Sequence, residues 1–130
     1  MDVIMRKTEL SDGEWKLMNL LWEKSPRTIG EMVDELKDDT GWSKSTIFMM
    51  LKRMLEREIV RVEDGGRRQQ YFPLLEKKDT TLKATRSFLS RVYNGSLGMM
   101  VAAIAGEKEL SKSEIDELYQ ILDEAKKELK

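Results

Sequence analysis

In the stretch WSKSTIFMMLKR, Trp42 to Arg53, side-chain types and spacing suggest surface chemistry rather than core alone. Ile47, Met50, Leu51, Met54 and Leu55 recur at helical intervals and form one apolar stripe. At about 100° per residue, Ser45, Met49, Lys52 and Glu56 point the opposite way, with Phe48 on the flank. Such a face offers hydrogen bonds, positive charge and apolar contact together, which is what base edges in a DNA groove accept. Lys44, Ser45 and Thr46 occupy the first turn, where free N–H groups and the helix dipole favour a phosphate. Ser45, Phe48, Met49 and Lys52 are the candidate groove face, and a thymine methyl suits Phe48 or Met49. The competing reading packs Phe48 against the next element and makes Met49 adaptable core filler. Phe48 fits either; Met49, opposite the stripe, fits exposure better.

Other chemistries find no residues to carry them. The chain has no cysteine and no histidine, which excludes disulfides, thiolate catalysis and the usual zinc and copper sites. Asp38 and Asp39 are adjacent carboxylates, but no base, nucleophile or phosphate loop accompanies them. We therefore expect no enzyme, no metal and no cofactor.

The positioning elements are legible from their starts. Ser11-Asp-Gly-Glu14, Thr28-Ile-Gly-Glu31 and Ser111-Lys-Ser-Glu114 are capping boxes, and Ser43 is an N-cap without the returning carboxylate. Leu10 with Trp15, Trp42 with Ile47 and Leu110 with Ile115 are placed as hydrophobic staples. These signals predict helices over 11–24, 28–38, 43–57 and 111–129. Between the third helix and the next, IVRVEDGGRRQQYFPL carries two β-prone runs around Asp64-Gly65-Gly66 and predicts a hairpin. Asp79 is the expected cap of a helix reaching Tyr93, with Leu82, Thr85, Leu89 and Val92 on one side, and Asn94-Gly95 breaks the chain.

Three helices, a hairpin and three more helices make a mainly α chain. The first half matches a winged helix-turn-helix, expected over 1–75; a three-helix region is expected over 76–130 for dimerisation. In the last helix Ile115, Leu118, Leu122, Ala125 and Leu129 step by 3, 4, 3 and 4, a heptad seam. The run LGMMVAAIAG, with Leu97, Met100, Val101 and Ile104, is apolar all round and calls for a cover that one short helix lacks. A second copy of the chain supplies one; folding back over the winged helix is the alternative.

Net charge is −1, so bulk charge announces no nucleic acid, but its distribution is uneven. Residues 41–75 are net +3, with Lys44, Lys52, Arg53, Arg57, Arg61, Arg67 and Arg68 against four acids. Counterion release needs this local potential rather than a global one. Arg67 and Arg68 follow Gly65-Gly66 and are expected at the wing tip for phosphate or minor-groove contact. Their bland reading is that they keep an edge hairpin from aggregating.

The segments EWKLMNLLW (14–22), WSKSTIFMMLKRM (42–54), VYNGS (92–96) and LSKSEIDEL (110–118) resemble the BlaI/MecI/CopY family of bacterial transcriptional repressors. The resemblance covers nearly the whole chain, and the Trp-Ser-x-x-Thr-Ile start of the third helix is its most specific part. It implies a homodimer whose winged helices bind a palindromic double-stranded operator while the C-terminal helices dimerise. On this chain the implied DNA contacts are Trp42, Ser43, Lys44, Ser45, Thr46, Phe48, Met49, Lys52, Arg53, Arg67 and Arg68. The dimer contacts are Leu89, Val92, Leu97, Met100, Val101, Ile104, Ile115, Leu118, Leu122 and Leu129.

Three departures narrow the analogy. Penicillinase-type members are cut at an Asn-Phe pair, where this chain has Ala103-Ile104. Copper-type members end in a cysteine cluster, which is absent here. Family recognition helices usually carry a polar residue or threonine where Phe48 and Met49 stand. A pathway through a membrane metalloprotease sensor is implied by the family, with Ala103 and Ile104 as the corresponding region. The opening MDVIMRKTEL shows no signal-peptide pattern and the longest apolar run is about half a membrane span, so a cytoplasmic protein without membrane insertion is expected. The alternative function is a winged helix that binds protein and no nucleic acid.

Overall fold

The computed structural model describes residues 9–129, so most of the opening stretch lies outside the described residues. Within them the order is α1 (Asp12–Glu23), α2 (Ile29–Glu35), α3 (Lys44–Glu56), β1 (Val60–Gly65), β2 (Arg68–Pro73), α4 (Lys77–Tyr93), α5 (Leu97–Gly106) and α6 (Lys112–Glu128). The chain divides into two compact units, the first running to Ala84 and the second from Thr85, so the division falls inside α4.

Helix starts follow the capping chemistry. Glu14 N–H donates to Ser11 Oγ at 3.2 Å while Ser11 N–H donates to Glu14 Oε1 at 2.9 Å. Thr28 with Glu31 and Ser111 with Glu114 repeat the reciprocal pair. Both carboxyls, Glu31 and Glu114, are held below the usual range by backbone and hydroxyl hydrogen bonds from their capping residues. Ser43 caps α3 through Thr46 N–H at 3.2 Å. A further cap, Ser96 on Met99 N–H at 3.1 Å, starts α5.

Two boundaries differ from expectation. The second helix ends at Glu35 and continues only as a turn to Thr40, because Gly41 with φ 64° lets the chain reverse onto the Leu36 carbonyl. The fourth starts at Lys77, with Thr80 N–H on the Glu76 carbonyl, so Asp79 is a first-turn residue facing the dipole rather than the cap.

The first unit has a closed core. Leu17, Met18 and Leu21 of α1, Met32 and Leu36 from α2 and its end, Ile47, Leu51 and Met54 of α3, and Ile59, Val60 and Tyr71 are all buried. The α3 stripe therefore points inward as its spacing requires, with Met50 and Leu55 half-buried at its margins. Gly13 permits the close approach of α1 to α3: a Cβ there would stand 2.8 Å from Met50 Cε and 3.1 Å from the Trp42 ring.

The hairpin pairs antiparallel from Val60↔Pro73 to Gly65↔Arg68. A two-residue loop, Gly66-Arg67, joins the strands, with φ 87° at Gly66 as a type II′ turn needs at its first central position. β2 also has a partner on its other edge, since Arg27, between α1 and α2, bridges to Tyr71. The hairpin is thus hydrogen-bonded to the helical core and its base is fixed.

In the second unit no residue of α5 or α6 is fully buried, and the same holds for the whole of α4. Phe88 and Tyr93 stack edge to face with centroids 6.1 Å apart. Among the described residues no helix is long and apolar enough to cross a membrane.

Candidate nucleic-acid interface

The outer face of α3 is open. Ser45, Lys52 and Glu56 are exposed, and Phe48 and Met49 leave 45% and 46% of their surface accessible. Capping explains how the first turn is held: Ser43 Oγ accepts from Thr46 N–H and lies 3.1 Å from both Ser45 Oγ and Thr46 Oγ1. Lys44, Ser45 and Thr46 stand exposed around this knot of hydroxyls. Trp42 is different, because its indole is half-buried on the core beside Gly13 and sets the entry of α3.

A cleft of about 680 Å³ lies between the start of α2, the start of α3 and the wing. Thr28, Ile29, Gly30, Glu31, Val33 and Asp34 form one wall, Lys44, Ser45 and Phe48 the second, and Arg68 and Gln69 the third. Phe48 combines its two sequence readings: it lies at the cleft with the wing residues, yet nearly half its surface is free. On the other side of Ser45 a shallower depression is lined by Thr46, Met49, Met50 and Arg53.

The wing arginines are separated by the turn. Arg67 occupies the loop itself, whereas Arg68 opens β2 and lines the cleft. The expectation that both leave from the tip therefore holds for Arg67 alone, because the turn falls one residue later than Gly65-Gly66.

Cations on this side sort into two groups. Arg57 is committed to Glu14 at 2.7 Å and to the Glu9 carbonyl, tying the end of α3 to the start of α1. Arg61 pairs with Glu63 and lies 3.9 Å over the Phe72 ring. Lys44, Lys52, Arg53, Arg67 and Arg68 form no ion pair among the described residues, and all five are exposed. The charge count of the sequence treated all seven alike; the structure leaves five for a ligand.

Sequence reasoning missed two contributors. Gln69 lines the cleft from β2, where it stands two residues before the buried Tyr71 and so shares its face of the strand. Arg27 anchors the wing from behind: its Nε donates to the Leu20 and Lys24 carbonyls at 2.9 Å each, and Nη2 to Glu23 at 3.0 Å. Pro26 is a helix breaker just before Arg27, but nothing in the residue pattern signals a buried guanidinium.

The expected seam residues of the second unit are largely uncovered in the single chain. Val92, Leu97, Leu122 and Leu129 are 54%, 53%, 60% and 79% exposed, and Ile115 is 38% exposed. Leu89, Met100, Val101, Ile104 and Leu118 are half-buried. Ala103 and Ile104 sit inside helix α5.

Comparison with known proteins agrees with this architecture. Residues 10–124 match the family model described as penicillinase repressor. A penicillinase repressor of Bacillus licheniformis is 36% identical over 118 residues, covering 91% of this chain and 92% of the relative. The methicillin resistance regulatory protein MecI of Mammaliicoccus sciuri is 29% identical over 88% of this chain and 94% of its own length. Among solved structures, one described as the solution structure of the DNA binding domain of the repressor BlaI matches with TM-score 0.50 and 29% identity. It covers 55% of this chain and 88% of that domain. A winged helix followed by three helices, matched in this way from Leu10 to Glu124, places the chain in the penicillinase repressor family.

Proposed function

We propose that this protein is a homodimeric repressor that binds a palindromic operator in double-stranded DNA. The observation that carries the reading is the exposed outer face of α3 with five exposed cations that form no ion pair among the described residues, two of them on the wing. In this arrangement α3 enters the major groove, Ser45 and Lys52 reach base edges, and Lys44, Arg53, Arg67 and Arg68 hold phosphates. Ser43 and Thr46 keep the first-turn amides aligned for a phosphate, and Trp42 sets the angle of approach.

The apolar surface left open on α4, α5 and α6 supports dimerisation, with residues 76–130 acting as the dimer domain and 1–75 as the DNA-binding domain. A near-neutral chain holds non-specific DNA weakly, so separating the two copies releases the operator. Cutting in the region of Ala103-Ile104 by a membrane metalloprotease pathway is one such release. The setting is cytoplasmic.

The test is retention of the DNA upstream of the protein's own gene by the purified full chain. Affinity should fall by roughly one power of salt for each phosphate neutralised. Absence of retention at moderate salt, together with capture of a protein partner through α3, would replace this reading with a protein-binding winged helix.

A further inference from the structure

The two large apolar side chains on the outer face of α3 are only half covered by the fold. Phe48 and Met49 are 45% and 46% exposed, although the buried stripe of the same helix is complete without them. They stand on opposite sides of Ser45, which lines both depressions: Phe48 in the cleft with Lys44 and Arg68, Met49 in the shallower one with Arg53. The α2 wall of the Phe48 cleft adds Ile29, Val33 and the carboxylates of Glu31 and Asp34, but on the α3 and wing sides each apolar tip is bordered by cations and hydroxyls. That setting matches a polyanion with a small apolar feature in its groove, and it mismatches an apolar protein surface, which would strand the cations without water.

The major groove presents one apolar group on its unmodified bases, the C5-methyl of thymine. Resting on the operator-binding reading above, we infer that Phe48 and Met49 are specificity-determining residues that read thymine methyls at two different base pairs of each half-site. Ser45 and Lys52 supply polar contacts between them. Successive residues lie about 100° apart on the helix, so the two tips address separate positions rather than one. Burying a methyl against either side chain is worth about fourfold in affinity, compounding to about fifteenfold when both half-sites of a palindrome are changed.

The experiment uses the full chain and duplexes that it enriches from a random pool. Each thymine of the enriched duplex is replaced in turn by deoxyuridine, which removes only the C5-methyl. Affinity should fall about fourfold at no more than a few positions per half-site and stay unchanged elsewhere. With Phe48→Gln the loss at one position should vanish, and with Met49→Gln the loss at another. Equal binding of thymine and deoxyuridine duplexes at every position overturns the inference while leaving DNA binding intact. So does a methyl effect that persists in both variants. If no duplex is enriched, the operator-binding reading itself falls, and this inference with it. The deoxyuridine comparison on the unaltered protein is independent of any folding defect in the variants.

Discussion

Arg27 and Tyr71 exchange both backbone hydrogen bonds, Tyr71 N–H to the Arg27 carbonyl at 2.9 Å and Arg27 N–H to the Tyr71 carbonyl at 3.2 Å. The link turns a two-stranded hairpin, which alone is marginal in water, into part of the core. The same Arg27 is 5% exposed and closes the end of α1 by donating to two carbonyls, with Glu23 and Glu35 beside its guanidinium. One residue thus fixes the wing base relative to α1 and α2. Replacing Arg27 with Ala removes both side-chain donations and both ion pairs, leaving the Leu20 carbonyl only its Lys24 N–H, and is expected to cost about 3 kcal/mol in urea unfolding. Lysine should not restore it, since an ammonium lacks the planar fork. Tyr71→Phe should cost under about 1 kcal/mol, because among the described residues the hydroxyl's hydrogen bond is a long one to Gln69 at 3.4 Å.

Acid sensitivity should follow the capping boxes. The Glu31 carboxyl is held below its ordinary value by hydrogen bonds from Thr28, so the folded state releases its proton more readily than the unfolded chain. Its contribution is complete above the unfolded value of about 4.3 and is lost as pH falls through the lower folded value. Glu114 acts in the same direction through Ser111. Glu31→Gln should flatten the fall in stability below about pH 4.3 relative to the unaltered chain. Thr28→Ala should cost about 1 kcal/mol at neutral pH. Thermal melts across an acid pH series separate the two effects; an unchanged slope in Glu31→Gln would remove the box from the account.

Helix starts were legible because Ser11, Thr28, Ser43 and Ser111 announce them chemically. Helix ends were less so. α3 ends in a Schellman arrangement, with Ile59 N–H on the Met54 carbonyl and Glu58 N–H on the Leu55 carbonyl, and Glu58 takes φ 59° where glycine is the usual signal. Lys108, at φ 59°, ends α5 in the same way. Nothing in the local residue types marks either site. On the interface, the period of α3 separated Ser45, Met49 and Lys52 from the core, because periodicity reports which face is buried. It could not report that Arg57 is consumed by Glu14, a contact that depends on how distant elements meet, nor that Arg61 is consumed by Glu63 and Phe72, contacts set by the hairpin's faces and register rather than by the α3 period. The hairpin was visible, but its turn was placed one residue early because either Gly-Gly or Gly-Arg can supply the positive φ.

Wing and helix should fail differently on substitution. Arg67 and Arg68 are exposed and make no ion pair among the described residues, so Arg67→Ala with Arg68→Ala should leave the fold intact. Affinity should drop for all duplex sequences alike, with the slope of log K against log salt reduced by about two for each subunit. Ser45→Ala should instead change the preferred base at one position while leaving the slope nearly constant. Gel shifts over a salt series, run on enriched and scrambled duplexes, read both quantities. Equal loss on both duplexes for Ser45→Ala would remove Ser45 from sequence reading.

The tail helices give the last prediction. Leu122 is 60% exposed in the single chain, so Leu122→Glu removes little packing within one subunit. In a seam built from Ile115, Leu118, Leu122 and Leu129, the same change buries two carboxylates against each other at the two-fold axis, which desolvation and like charge both oppose. The variant should sediment as a monomer at micromolar concentration, with its helical content preserved. Its operator affinity should fall about 100-fold or more, because the second half-site is then bound without the effective concentration that linkage provides. A variant that remains dimeric and holds the operator normally would place the dimer contact on another exposed apolar face, such as the α5 surface around Leu97 and Met99.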